Sequence, residues 1–572
     1  MSGLDWVVFA VYFGGVVAFA WRQSRKNRGV EGFFLANRRL GWGAIGLSVM
    51  ATQASAITYI GTTGQAFDDG MEFVQFYLGQ PIAMVILCVV FVPFFYRSKV
   101  FTAYEYLERR FDPRTRSLTS FLFLVSRGLS AGIVLYAPAI VLSVIMGWDE
   151  RVTILVMGLI TVAYTIMGGI TAVIWTDVLQ MIVMFAGIGI AIAVLFSTLP
   201  EGVGVGDVAY IGGIHEMWRS IDLSWDPTNR YTLWSGLIGG LFLALGYFGT
   251  DQSQVQRYLT ASSLRQSRLS LIFNAFVKVP MQVFILAIGV LLYVFYHFER
   301  PPLVFNSAEA TMVRESPRAG AFATLEAEHE RTHELRREST LAVLEARRSG
   351  EDPAALQGRI AGYDDELARL REASKSLVSE VRGSSSNDVN YVFPSYLISY
   401  VPAGILGLLI AVIFAAAMSS LDSELTALSS ATVIDFYRRY VKPEGTDAHY
   451  LLVSRLATLG WGGFAVLFAL YAGRLGSLVE AVNEVGSIFY GALLGVFLLA
   501  FLVKRATAAG AFYGLIFAML VVLAVSRFTE IAWLWYNVVG TLAVLAVGLA
   551  LRRRGPEEPA EPGVPSGSAA TA

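Results

Sequence analysis

The chain has 572 residues, 55% of them hydrophobic and only 16% charged, with 44 Lys and Arg against 45 Asp and Glu. Soluble domains run at about 45–50% apolar and about 25% charged residues, so the composition excludes a soluble enzyme, a fibrous protein and a disordered chain and points to a polytopic membrane protein. The balanced charge offers no basic surface for nucleic acid, and the single cysteine, Cys88, excludes a disulfide framework or a cysteine-rich metal cluster.

Crossing the hydrocarbon takes about 20 apolar residues per helix. The first such run, 4–22, has no basic stretch ahead of it and carries Asp5, so it reads as a retained helix rather than a cleaved signal peptide. Further runs at 42–67, 72–96, 117–146, 152–170, 172–198, 231–256, 269–298, 397–437, 449–472, 475–503, 506–526 and 530–551 bring the expectation to about thirteen spans. The run at 397–437 is too long for one straight span, which puts its start at the interface.

Basic clusters recur at alternate ends of these runs. They are Arg22, Arg25, Lys26, Arg28, Arg38 and Arg39; Arg97 to Arg116; Arg257, Arg265 and Arg268; Arg438, Arg439 and Lys442; Lys504 and Arg505; and Arg552, Arg553 and Arg554. The opposite ends carry single charges such as Arg151, Arg219 and Arg474. The positive-inside rule makes the basic side cytoplasmic, with the N-terminus outside and the C-terminus inside, in a plasma membrane of bacterial inner-membrane type.

Residues 306–388 concentrate 16 acidic and 12 basic side chains. Within this insertion, 320–349 and 353–382 carry helical spacing interrupted by Gly350 and Pro353, a helical hairpin with seams such as Leu341, Leu344, Leu356 and Ile360. It lies outside on this topology, as a cap or a docking surface for a protein partner. It also contains His329-Glu330-Arg331-Thr332-His333, the H-E-x-x-H pattern of zinc proteases; no third ligand is evident, and a hairpin lacks the cleft a protease needs. The tail from Gly555 is disordered by composition.

Polar residues inside membrane helices are functional by default. The second run, GLSVMATQASAITYIGTTGQAF, places Gly, Ser, Thr and Gln at mid-depth. That favours either a broken helix whose freed carbonyls coordinate a cation or close packing through small residues. In FAAAMSSLDSELTALSS, Ser419, Ser420, Asp422 and Ser423 gather hydroxyl and carboxylate oxygens within about one turn, the donor type of a hard cation; the alternative is serine bonding to its own helix backbone. Asp177 follows the Gly168-Gly169 turn, either as a site residue or as a snorkelling carboxylate, and Lys278 is intramembrane, either in a site or as a counter-charge.

On the segments YTIMGGITAVIWTDVLQ and YGALLGVFLLAFLVKRATAAGAFYG the chain resembles the sodium/solute symporter family, and FYRSKVFTAYEYLERRFD, GIVLYAPAIVLS, DPTNRYTLWSG and QSQVQRYL are most similar to its iodide, monocarboxylate and multivitamin branch. The resemblance covers about 5–550 apart from the insertion. It implies an all-α fold of the LeuT type, a 5+5 inverted repeat of about thirteen transmembrane helices with an extramembrane helical hairpin insertion. The expected organisation is a first accessory helix and loop (1–41), a first repeat (42–198), an external loop (199–230), a second repeat (231–299 and 393–503) split by the insertion (300–392), accessory helices (504–554) and the tail (555–572).

The resemblance also implies the sites and the activity. A sodium site draws on the carbonyls of Ala51, Ala54 and Ala416 and the hydroxyls of Ser419 and Ser420. Asp177 and Ser423 match a second cation site of some members, while Asp422 stands where those members have serine, which either strengthens that site for a cation or replaces sodium by a proton. Solute contacts fall on Gln53, Thr58, Gln80, Tyr247 and Lys278, with Glu480, Asn483 and Glu484 on a helix lining the vestibule; Ala244, in place of a sugar-contacting asparagine, argues against a hexose. The implied activity is sodium-coupled import of a small organic solute or anion by alternating access, with a transporter-like solute sensor as the alternative and no enzymatic role, since no nucleophile–base pair appears.

Overall fold

The computed structural model describes residues 1–24, 29–383, 387–472 and 478–552. Arg25, Lys26, Arg28, Arg474, Arg553, Arg554, the tail and the side chain of Glu480 lie outside the described residues. The described chain is all helical, with one isolated bridge between Leu40 and Ala261. In chain order the principal helices are α1 (Gly3–Ser24), α2 (Trp42–Gln53), α3 (Ala56–Asp69), α4 (80–98), α5 (Pro113–Met146), α6 (Glu150–Ser197, two arms meeting at Gly169), α7 (Ser235–Thr250), α8 (Gln252–Leu259), α9 (Leu264–Phe298), α10 (Ala319–Ser349), α11 (Ala354–Arg382), α12 (Ile405–Ala431), α13 (Asp447–Ala469), α14 (Leu478–Leu502), α15 (Ala508–Phe528) and α16 (Trp533–Ala550).

Ten helical stretches among the described residues are long and apolar enough to cross a membrane. The remaining expected spans are the α2–α3 pair, the first arm of α6 and the shorter α7, each broken or short for a physical reason. Gly169 has φ +56°, and a Cβ there would meet the Phe33 carbonyl and ring at 2.7 Å, so the turn between the arms of α6 needs glycine. The long run at 397–437 divides into a short helix, Val392–Tyr400, and α12, which continues to Val441. Val11, Leu159, Phe276 and Leu467 stand exposed on the outer faces, as lipid contacts require, while one continuous apolar core runs through the bundle.

The two breaks position the site. α2 ends at Gln53 and α3 starts at Ala56, with Ala54 and Ser55 outside helical geometry. α7 ends at Thr250 and α8 starts at Gln252, with Asp251 extended (φ −79°, ψ 122°). The first helix of each expected repeat is therefore interrupted. At the start of α1, the buried Asp5 carboxylate accepts from the Gly404 and Gly407 amides at 2.6 and 2.9 Å and ties the accessory helix to the beginning of α12.

The insertion folds as the expected hairpin, α10 against α11, with Leu344 and Ile360 buried; Leu341, expected in the seam, is 42% exposed. Both histidines of the H-E-x-x-H pattern are buried, and burial pushes their imidazoles down to about 3 (His329) and about 4 (His333). His333 Nε2 lies 2.9 Å from the Tyr296 carbonyl, so this nitrogen carries the proton and donates, docking the hairpin on α9 instead of facing a metal. At the hairpin tip Arg348 reaches Asp207 at 2.8 Å, and Gln357 donates to the Tyr210 hydroxyl at 2.9 Å.

The packing of α9 on α3 depends on a missing side chain: a Cβ on Gly289 would sit 2.3 Å from the Thr63 carbonyl and 2.7 Å from Ala66 Cβ. Gly289→Ala should cost about 1–3 kcal/mol through overpacking, read as a lowered thermal transition in detergent. Gly189→Ala, where a Cβ meets nothing within 4 Å, should leave the transition unchanged; equal effects would disprove the close approach.

Candidate ion and solute site

The break after α2 exposes its last carbonyls inside an apolar medium, where each must find a partner. α12 supplies two. Ser419 Oγ lies 3.2 Å from the Ala51 carbonyl and 3.1 Å from that of Ala416; Ser420 Oγ lies 3.2 Å from the Thr52 carbonyl and 3.3 Å from that of Ala416. Each hydroxyl has one proton to share between two carbonyls, so more acceptors converge here than donors. The negative end of α2's dipole adds to the same potential. Ala54, also expected here, is buried at the break itself.

One turn further along α12, the expected second cation site is differently arranged. Arg257, read from sequence as part of a basic loop cluster, is fully buried with Asp177. Its Nη2 is 3.2 Å from Asp177 Oδ2 and also contacts Ser423 Oγ, while Nε donates to Ser48 Oγ at 2.8 Å, and Ser48 donates to Asp177 at 2.6 Å. A tethered guanidinium thus sits among the groups proposed for a metal cation. The reason is topological: α8 follows the break at Asp251 and turns Arg257 inward. Asp422 adjoins this pair through Ser423, whose hydroxyl it accepts from at 3.1 Å and which Arg257 also contacts, and it accepts from the Tyr164 hydroxyl at 2.5 Å.

Beside the oxygen cluster lies a small cavity of about 120 Å³. Gln53, Thr58, Gln80, Tyr247 and Asn483 all line it. Gln53 donates to Gln80 at 3.1 Å, Gln80 to Asn274 at 2.7 Å, and Gln254 to the Tyr247 hydroxyl at 2.6 Å. Thr52 and Ser420 belong both to the cavity wall and to the oxygen cluster. Lys278 does not line the cavity: it is fully buried behind Tyr77, its Nζ 5.4 Å from the ring centroid. Glu484 is exposed and also lies outside the lining.

The cavity wall contains a charged group that the sequence reading passed over. Arg127 of α5 donates to Glu424 of α12 at 2.7 Å and contacts Asp251 at the α7–α8 break and the Tyr490 hydroxyl of α14; its guanidinium carbon lies 5.3 Å from the Tyr247 ring centroid. The rule that singled out Asp177 and Lys278 finds Arg127 and Glu424 as well, since both fall inside apolar runs. Asp251 and Arg257 give no such signal, because only the break places them inside.

An interrupted-helix membrane fold with an oxygen cluster touching a cavity lined by polar side chains defines a cation-coupled secondary transporter. The model of the sodium:solute symporter family matches residues 33–314 and 372–518, and the chain belongs to that family, with sodium as its coupling ion. It is 27% identical over 558 residues to the sodium/sialic acid symporter SiaT of Proteus mirabilis, covering 96% of this chain and 95% of that one. It is also 27% identical over 522 residues to the sodium-dependent multivitamin transporter of Oryctolagus cuniculus, covering 90% and 69%. The solved structure of a Na+-coupled sialic acid symporter in a substrate-bound, outward-open state superposes with a TM-score of 0.74 at 25% identity, over 96% of this chain and 97% of that one.

Removing one partner of a buried pair leaves an uncompensated charge at a cost of about 3–5 kcal/mol. Asp177→Asn and Arg257→Gln should each lower stability by that order, and the double variant should lose less than their sum in a thermal or proteolysis cycle. Strict additivity would show that the pair carries no coupling.

Proposed function

We propose that the protein is a sodium-coupled importer of a small carboxylate-bearing or similarly polar organic solute, working by alternating access. The observation that carries this reading is the shared membership of Thr52 and Ser420 in the oxygen cluster and the cavity wall. Sodium bound by the carbonyls of Ala51, Thr52 and Ala416 and the hydroxyls of Ser419 and Ser420 replaces the shared protons as partner of those oxygens. It draws α2 and α12 together, which fixes one wall of the cavity. Coupling is reciprocal by linkage: sodium raises solute affinity and solute raises sodium affinity. One sodium moving inward with a neutral solute through 100 mV contributes about 2.3 kcal/mol; with a carboxylate anion the one-to-one cycle moves no net charge, and the sodium gradient alone drives accumulation.

Two features support an acidic solute. The N-terminal, positive end of α3 opens on the cavity at Ser55, Ile57 and Thr58, and amide and hydroxyl donors on Gln53, Gln80 and Tyr247 surround it. The relatives named above carry sialic acid and vitamins, which fits such a solute. Arg127 is already shared by Glu424 and Asp251, so it shapes the wall as part of a neutralised network. With Arg257 lying among Asp177, Ser48 and Ser423, the cycle moves one sodium per solute. The loop charges support a cytoplasmic C-terminus and an outward-facing insertion.

Ser419→Ala with Ser420→Ala, reconstituted in proteoliposomes, should abolish sodium-dependent uptake and the sodium-induced rise in thermal stability while the protein elutes as a folded species. Sodium-stimulated uptake at the wild-type level would refute the assignment. A screen of sialic acids, monocarboxylates and vitamins for sodium-dependent thermal shifts identifies the solute class, and parallel uptake of labelled sodium and labelled solute into proteoliposomes should give a 1:1 ratio, without current for a carboxylate anion.

A further inference from the structure

Away from the cavity, three segments distant in sequence bring together two imidazoles and a carboxylate. His215 ends the short helix Val205–Ile214, His297 is in the last turn of α9, and Asp364 is on α11 of the hairpin. One ligand atom of each lies within 4.8 Å of the others. His215 Nδ1 is 3.3 Å from Asp364 Oδ2, and the two imidazole rings are 4.9 Å apart.

The arrangement of free lone pairs is what distinguishes this cluster from an ordinary histidine–aspartate contact. His297 is fully buried, and its Nδ1 lies 3.1 Å from the Tyr293 carbonyl, which fixes the proton on Nδ1 and leaves Nε2 as a bare acceptor. His297 Nε2 and His215 Nε2 are buried atoms without a hydrogen-bond partner among the described residues, and Asp364 Oδ2 is approached there only by His215 Nδ1 at 3.3 Å. Asp364 is oriented from behind: Arg336 donates to Oδ1 at 3.0 Å and to the Tyr296 carbonyl at 2.6 Å, leaving Oδ2 turned toward the histidines. A histidine whose far nitrogen bonds a carbonyl, and a carboxylate whose second oxygen is held, are the outer-shell supports that metal ligands use.

We propose that His215, His297 and Asp364 form a divalent-metal site, best suited to zinc, that pins the inserted hairpin to α9. Two neutral imidazoles and one carboxylate with a fourth position open are a zinc donor set. Tetrahedral bonds of about 2.0–2.1 Å put donors roughly 3.4 Å apart, so small ring rotations close the present spacing. Entry is direct, since His215 also lines a solvent-open cavity with Asp68, Asp69 and Glu72. The nearby Arg336 charge opposes the metal, so binding is weaker than at a closed four-ligand site. Asp364 falls in the gap of the family match, between residues 314 and 372, so the third ligand belongs to the insertion. The inference is independent of the solute reading.

The test uses the purified full chain, chelator-stripped and titrated with zinc alone, with metal content measured after gel filtration and cobalt as a spectroscopic substitute. The expected result is one zinc per chain, a raised thermal transition and a tetrahedral cobalt band. Asp364→Asn and His215→Gln should each weaken zinc binding at least tenfold, and His215→Gln should keep the metal-free thermal transition and elution volume, whereas Asp364→Asn also removes the Arg336 partner and lowers that transition. His329→Gln should bind zinc as the wild type does. Substoichiometric zinc in the wild type, equal zinc in both site variants, or loss of zinc confined to His329→Gln overturns the proposal. Should Asp364→Asn fail to fold, His215→Gln and the cobalt spectrum decide alone.

Discussion

A peptide group in hydrocarbon has no water to fall back on, so interrupting a membrane helix demands partners for every freed carbonyl and amide. The gap between Gln53 and Ala56 is tolerated because α12 brings Ser419 and Ser420 against the Ala51 and Thr52 carbonyls. The gap at Asp251 is tolerated because that carboxylate caps Ser253 on one side and meets Arg127 and Tyr490 on the other. Both solutions use side chains from another helix. The same groups that make the breaks affordable also concentrate unshared oxygens and define the wall of a cavity, so ion site, solute site and helix packing are one construction.

The buried charges follow the same logic. Arg257 joins α2, α6, α8 and α12 through Ser48, Asp177, Ser253 and Ser423, and Arg127 joins α5, α12, α14 and the α7–α8 break. Such pairs add little net stability over apolar packing, but breaking either half is costly. Their effect is to permit few relative positions of the helices, which suits a protein that must hold discrete arrangements around one ion.

The hairpin is a separate layer of design. It has a small apolar core, including Leu303, Val313, Phe322 and Leu370, and meets the rest of the chain through Leu344, which joins the main apolar core, and through polar contacts at Tyr296, Asp207 and Tyr210. Of these, the exposed Arg348–Asp207 ion pair contributes little by itself. The buried histidines and Asp364 are therefore where the hairpin's attachment to α9 is most strongly specified.

Sequence alone determined the all-helical membrane class, the hairpin limits, the turn at Gly168-Gly169 and the family, because hydropathy, turn residues and long motifs are local properties of the chain. It also marked Ser419, Ser420 and Gln53, since polar residues stand out against apolar runs, while Gln80 and Tyr247 followed from the resemblance to the family. It misjudged Arg257 as a loop charge and set Lys278 in the cavity, and it passed over Arg127, Asp251 and Glu424. Which side chain faces which neighbour depends on where two helices break and how they cross. Only the tertiary structure decided that a guanidinium lies beside Asp177, that Lys278 sits behind Tyr77, and that His215, His297 and Asp364 meet. Those contacts join residues as far apart in the chain as Tyr77 and Lys278, and no local pattern of hydrophobicity encodes such a distance.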